Sequence, residues 1–206
     1  MLPQPGSVWT STVLTTERLV LRSFVEQDLD ALAALHGDER VMRYLTGAPV
    51  SRAEVEREVL PRFVRRDQCR PAFGALAAFD RQSSDFVGWF ALTRPPGRGN
   101  TEASLGFRLR PEYWGRGLAT EGATALLEHG FRHGVRKVRA TTFEQNVGSQ
   151  RVLEKLGMRL VRRYRPTVQD LAGGAFADPV AAEVWDGDEF EYELSSAAWR
   201  DNTGTV

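Results

Sequence analysis

The segment Leu105–Ala123 reads Leu-Gly-Phe-Arg-Leu-Arg-Pro-Glu-Tyr-Trp-Gly-Arg-Gly-Leu-Ala-Thr-Glu-Gly-Ala, and no other stretch narrows the architecture as far. Leu105, Phe107 and Leu109 alternate with Ser104, Gly106 and Arg108, the period-2 pattern of a half-buried strand that Pro111 then ends. Gly115 and Gly117 form a turn, and Ala119, Ala123, Leu126, Leu127 and Phe131 mark one stripe of a following helix, with Gly134 just past its end. A strand that feeds a helix through a glycine turn aims bare backbone N–H groups and the positive end of a helix dipole at one point. Such a point binds phosphate. Two nucleotide motifs fit poorly. A P-loop needs Lys-Ser/Thr where Leu118-Ala119 stands. A dinucleotide fingerprint wants Gly or Ala at Thr120, and an acidic residue in the window occupied by Val135, Arg136, Lys137 and Val138.

The chain of 206 residues is long enough for one domain with a sizeable core and no staples. Its one cysteine, Cys69, excludes an internal disulfide and points to a reducing, cytoplasmic compartment. No apolar run approaches membrane-spanning length, and the Met1-Leu-Pro-Gln-Pro start lacks the features of a signal peptide. With 27 Lys/Arg against 27 Asp/Glu, the balance gives no reason to expect nucleic acid or a membrane as partner. The balance hides an asymmetry. Gly106–Arg165 carries 13 Lys/Arg and 5 Asp/Glu, whereas Pro166–Trp199 carries 8 Asp/Glu and no Lys or Arg. One reading is two differently charged solvated faces. The other, favoured because the phosphate-type turn lies in the basic half, is a basic wall for a polyanionic cofactor and an acidic lip for a cationic acceptor. His129 and His133, an i, i+4 pair, have Gly130 where a His-Glu-x-x-His site has its glutamate and no third ligand nearby, so no metal is expected.

The remaining pattern is a mixed α/β (α+β) domain with a largely antiparallel sheet, at least one β-α-β unit and about four helices. Strands are expected at 16–22, 72–79, 86–93, 137–143, 158–164 and 189–194. Helices are expected at 26–36, from Ser51 to about Phe63 with a Ser51/Glu54 capping box and a proline at 61, and from Asn146 or Ser149 to Gly157. Residues 1–12 read as a loose leader, 13–200 as one domain, 201–206 as a tail, and 169–188 as a long Gly-rich acidic loop.

Tyr113-Trp-Gly-Arg-Gly-Leu-Ala-Thr-Glu121, followed by Glu144-Gln-Asn-Val-Gly-Ser-Gln-Arg-Val-Leu-Glu-Lys-Leu-Gly-Met158, resembles the GNAT superfamily of N-acetyltransferases. The Thr16–Arg22 opening and the closing strand at 186–194 resemble, more narrowly, its ribosomal-protein N-terminal acetyltransferases. The resemblance implies a twisted sheet whose strands at Leu105 and Lys137 splay apart around acetyl-CoA. It implies a pyrophosphate on the amides of Gly115, Arg116, Gly117, Ala119 and Thr120, pantetheine along the edge at Phe107 and Leu109, and Asn146 and Ser149 beside it. Trp114 holds a position usually Gln or Arg in the wider superfamily. The implied reaction moves acetyl directly to a primary amine in a ternary complex; the acceptor is a protein N-terminus or a cationic small molecule such as an aminoglycoside or polyamine.

Such a transfer needs a base for the amine, a donor to the carbonyl and an acid for the thiolate. A backbone N–H near Leu109 is the implied donor. Many relatives carry an acid at the position of Ser104. Here Glu102, two residues earlier on the same strand face, and Glu144 are the candidate bases, with Ser149 the candidate acid and Tyr113 read as a packed aromatic. A homodimer is compatible with the resemblance. The rival readings are a non-catalytic acyl-CoA sensor and a nucleotide-dependent oxidoreductase.

Overall fold

The structure, a computed structural model, describes residues 12–45, 47–65, 73–94, 99, 101–167 and 187–203. Its strands are β1 (Thr12–Thr15), β2 (Leu19–Ser23), β3 (Gly74–Asp80), β4 (Phe86–Thr93), β5 (Glu102–Leu109), β6 (Lys137–Phe143), β7 (Arg159–Tyr164) and β8 (Glu189–Ser195). They form one sheet in the order β1-β2-β3-β4-β5-β6-β8-β7. Its described helices are α1 (Leu29–His36), α2 (Glu39–Met42), α3 (Arg52–Glu54), α4 (Leu60–Val64), α5 (Leu118–Arg132), α6 (Val147–Lys155) and α7 (Ser196–Thr203).

Every neighbouring pair is antiparallel except β5 and β6, as expected of a mixed fold. That parallel pair is short: Glu102↔Lys137, Ala103↔Val138 and Ser104↔Arg139. β5 stays paired with β4 as far as Gly88↔Leu109, and β6 stays paired with β8 as far as Phe143↔Glu189. Beyond Ser104 and Arg139 the two central strands therefore part, each held by its outer neighbour, and a wedge opens between them.

Alternation along the strands sends side chains into two cores. Phe90, Leu92, Leu105 and Leu109 pack with Leu118, Ala123, Leu126 and Leu127 of α5, joined by Leu153 of α6 and Trp199 of α7. On the other face, Phe79, Trp89 and Ala91 pack with Leu32, Leu35, Met42, Val55 and Val59 of the α1–α4 layer. That layer corrects one expectation. Arg108 falls on the polar side of the β5 alternation, yet it is only 6% exposed, because His36 and Met42 close over it.

Other differences are local. Residues 16–22 are not one strand: the Thr16 N–H donates to Leu19 C=O and Thr16 Oγ1 accepts from the Leu19 N–H, so Thr16–Arg18 reverse the chain between β1 and β2. The helix expected at 26–36 begins with a 3-10 turn, Glu26–Asp28. The Ser51/Glu54 capping box is present, and the helix passes Pro61 because Val55–Val59 wind as a π turn just before it. Helix α7 was not expected. Ser195, whose hydroxyl accepts from the Ala198 N–H at 3.1 Å, caps it, and Trp199 docks on Phe131. The 169–188 loop lies, except for its last two residues, outside the described residues, as do Cys69 and all of the 1–12 leader but Thr12.

Candidate active site

The glycine turn is left-handed at both of its glycines, with φ of 70° at Gly115 and 79° at Gly117. A β-carbon at Gly115 would meet nothing within 4 Å. The turn therefore needs glycine for its backbone conformation and leaves open space in front of it. Gly117 is the N-cap of α5 and provides no side-chain cap. The first helical bond runs from Glu121 N–H to Gly117 C=O at 3.0 Å, which leaves the N–H groups of Leu118, Ala119 and Thr120 without intrahelical acceptors. This cradle fits an anion; a β-carbon at Gly115 would enter open space, whereas one at Gly117 would face Arg18 Nη2 at 3.5 Å.

A network behind the turn holds it. Arg18 Nη1 donates to Arg116 C=O at 2.8 Å, and its Nε and Nη2 reach Glu121 Oε2 at 2.7 and 2.6 Å. Thr16 Oγ1 and the Arg18 N–H both donate to Glu121 Oε1. Burial raises the Glu121 carboxyl, but the hydroxyl, amide and guanidinium donors outweigh it and hold the group below the usual carboxylate range. A depressed native pKa adds stability above the unfolded value of about 4.3, and that stability is lost as pH falls through the native value. Glu121→Gln should therefore cost about 1 kcal/mol near neutrality. Thermal melts across pH should show the gap to wild type shrinking below about pH 4; a constant gap would contradict this.

Thr101 C=O accepts from Arg136 and Lys137 on the β6 side, whereas Arg110 N–H turns to Val87 on the β4 side. By strand alternation the backbone groups of Phe107 and Leu109 thus face the wedge. Trp114, 48% exposed, donates from Nε1 to Leu109 C=O at 2.7 Å. This leaves the Phe107 N–H and C=O and the Leu109 N–H as the edge for an extended ligand. Sequence reasoning had no signal for the Trp114 bond. The Arg18 clamp has none either, because its partners stand about one hundred residues away in sequence.

Opposite the cradle, Asn146 Oδ1 accepts from Ser149 N–H at 3.1 Å and caps α6. Gln150 Nε2 donates to Phe143 and Glu144 C=O, and Glu144 N–H donates to Asp188 C=O, so the end of β6 is fixed. Glu144 is exposed and Ser149 half-buried. Because β5 and β6 are parallel, the cradle and the Glu144–Ser149 group lie at the same, open end of the sheet.

Glu102 does not join them. It is in register with Lys137, seven residues before Glu144, or about 23 Å along the strand. Its carboxylate accepts from Arg139 Nη1 at 3.0 Å. Arg139 also meets Glu191 and Glu193, and Lys137 meets Glu193. Two residues of the basic half, Lys137 and Arg139, thus pair with Glu191 and Glu193 of the acidic half across β6 and β8, while Asp170, Asp178, Glu183 and Asp186 lie outside the described residues. Tyr113 is packed in the core, and burial raises its hydroxyl pKa. His133 Nδ1 lies 2.8 Å from His129 C=O, and among the described residues no group of three His, Cys, Asp or Glu could hold a metal. No described helix is long and apolar enough to cross a membrane.

A sheet split into a wedge, with an anion cradle and a bare strand edge at its mouth, can hold an extended ligand that carries a phosphate. Residues 18–159 match the acetyltransferase (GNAT) domain. The chain belongs to the GNAT family of acetyltransferases, which use acetyl-CoA. It is 26% identical over 187 residues to the uncharacterized N-acetyltransferase YnaD of Bacillus subtilis (strain 168), covering 90% of this chain and 98% of that one. Spermidine N-acetyltransferase from Vibrio cholerae, solved with CoA and spermine, shares the fold with a TM-score of 0.69 at 17% identity, over 89% of this chain and 99% of that one. Ribosomal-protein-S5-alanine acetyltransferase from Vibrio fischeri does so with 0.67 at 14% identity, over 90% and 97%.

Proposed function

We propose that this chain moves the acetyl group of acetyl-CoA directly to a protein N-terminal amine, with both substrates bound at once, in the cytoplasm. The observation that carries the reading is that the anion cradle and the free Phe107–Leu109 edge open at one end of one wedge. The diphosphate would lie on the N–H groups of Gly115, Arg116, Gly117, Ala119 and Thr120. Pantetheine would pair with Phe107 and Leu109 as an added strand, with Asn146 and Ser149 beside it. When bound, acetyl-CoA supplies an acetyl group activated as a thioester. Glu144 takes the acceptor's proton, through water. The Leu109 N–H donates toward the carbonyl, and the Ser149 hydroxyl toward sulfur. Glu102, held by Arg139, positions the closed end of the wedge.

An N-terminal amine, with a pKa of about 7.7–8.0 against about 10.4 for lysine, loses its proton readily enough for one exposed carboxylate to suffice. The motif resemblance to the ribosomal-protein branch supports the same acceptor. The fold shared with a spermidine N-acetyltransferase supports a second reading, a polyamine acceptor. The test is CoA-thiol release from acetyl-CoA with peptides bearing free N-termini, spermidine and an aminoglycoside. Release with peptides is expected. Release with spermidine alone favours the second reading, and binding without release with any amine leaves an acyl-CoA sensor. With the accepted amine, Glu144→Gln should lower kcat about 100-fold and Glu102→Gln only a few-fold. The reverse order would remove Glu144 as base.

A further inference from the structure

We propose that Arg18 is a positioning residue for the cradle: its planar fork sets the direction of the turn's N–H groups without touching the ligand. This rests on the reading that a CoA diphosphate occupies the turn. Arg18 lies in the β1–β2 connection, far from the turn in sequence, yet Nη1 holds Arg116 C=O at 2.8 Å while Nε and Nη2 hold Glu121. In a planar trans peptide the N–H of the next residue points opposite the carbonyl. Pinning Arg116 C=O backwards onto Arg18 therefore turns the Gly117 N–H forwards, into the open space of the cradle.

The same fork removes an electrostatic conflict. Glu121 sits in the first turn of α5, where a carboxylate favours the free helix but opposes an arriving anion. Arg18 cancels that charge. Arg18 is itself held in place: Arg81 Nη1 donates to the carbonyls of Thr16 and Glu17 at 2.9 and 3.0 Å, and the Arg81 N–H donates to Arg18 C=O at 2.9 Å. Its side chain is 46% exposed, and exposed pairs add little to global stability, so its replacement should leave the fold intact.

The test compares dissociation constants for CoA, by calorimetry, and for pantetheine, which lacks the diphosphate, by NMR titration. In Arg18→Ala the CoA constant should rise about tenfold, the scale of a lost charge-assisted hydrogen bond, with the pantetheine constant unchanged. Arg18→Lys keeps the charge that offsets Glu121 but loses the fork, and should recover only part of the loss seen in Arg18→Ala. Full recovery in Arg18→Lys would overturn the fork in favour of charge alone. An equal loss for both ligands, or no loss for either, would overturn the positioning role. A wild-type protein that binds CoA no more tightly than pantetheine would instead overturn the underlying placement of the diphosphate. Matched melting temperatures for the variants exclude misfolding as the cause.

Discussion

Gly117→Trp is expected to raise the dissociation constant for CoA at least about 100-fold while the chain remains folded. At φ 79° any side chain pays the left-handed penalty of about 1–2 kcal/mol. A β-carbon there lies 3.5 Å from Arg18 Nη2, so a small side chain fits in space and a large one must extend over the turn. The indole must then push against the Arg18 guanidinium that holds Arg116 C=O and Glu121, and so distort the turn that presents the N–H groups of Ala119 and Thr120. Gly117→Ala separates the two effects: backbone strain without obstruction should weaken binding by about tenfold or less. Calorimetry with CoA and a thermal melt of each variant check the expectation. Near-wild-type affinity in Gly117→Trp would move the diphosphate off this turn and take the proposed function with it.

Gly88→Ala is expected to have the largest effect on stability. Gly88 stands opposite Leu109 with φ 150°, and its β-carbon would lie 2.0 Å from Arg108 C=O and 2.7 Å from Leu109 Cα. Both are backbone atoms, which no rotamer change can move aside. β4 and β5 would have to separate at the end of the strand that carries the Leu109 N–H. A loss of about 3 kcal/mol follows, equivalent to a melting temperature lower by about 6–12 °C for a domain of this size. Gly134→Ala is the comparison: φ is 90° there but nothing lies within 4 Å, so only the left-handed penalty applies. Similar melting temperatures for the two variants would contradict the argument from close approach.

The elements read most clearly from the sequence are those whose pattern is local. β4 and β6 occupy the expected Phe86–Thr93 and Lys137–Phe143, because β-branched and aromatic runs there meet turn residues at both ends. The left-handed turn before α5 was legible because only glycine occupies such backbone freely. Features set by distant partners were not legible. Arg108 is buried by a layer built from residues 29–64, and no local pattern announces such a cover. Lys137 and Arg139 looked like part of a basic wall until β8 brought Glu191 and Glu193 alongside them. Arg18 meets its partners about one hundred residues away in sequence, which neither periodicity nor spacing encodes.

The short β5–β6 contact has a mechanical consequence. Two plates, β1–β5 and β6–β8–β7, meet along a strip three residue pairs long. From that strip to the end of β5 is five residues, about 16 Å, so a relative rotation of about 5° changes the aperture by about 1.4 Å. That is the order of one methylene group. Residues at the strip, such as Ser104, Arg139 and its carboxylate partners, therefore act on a long lever.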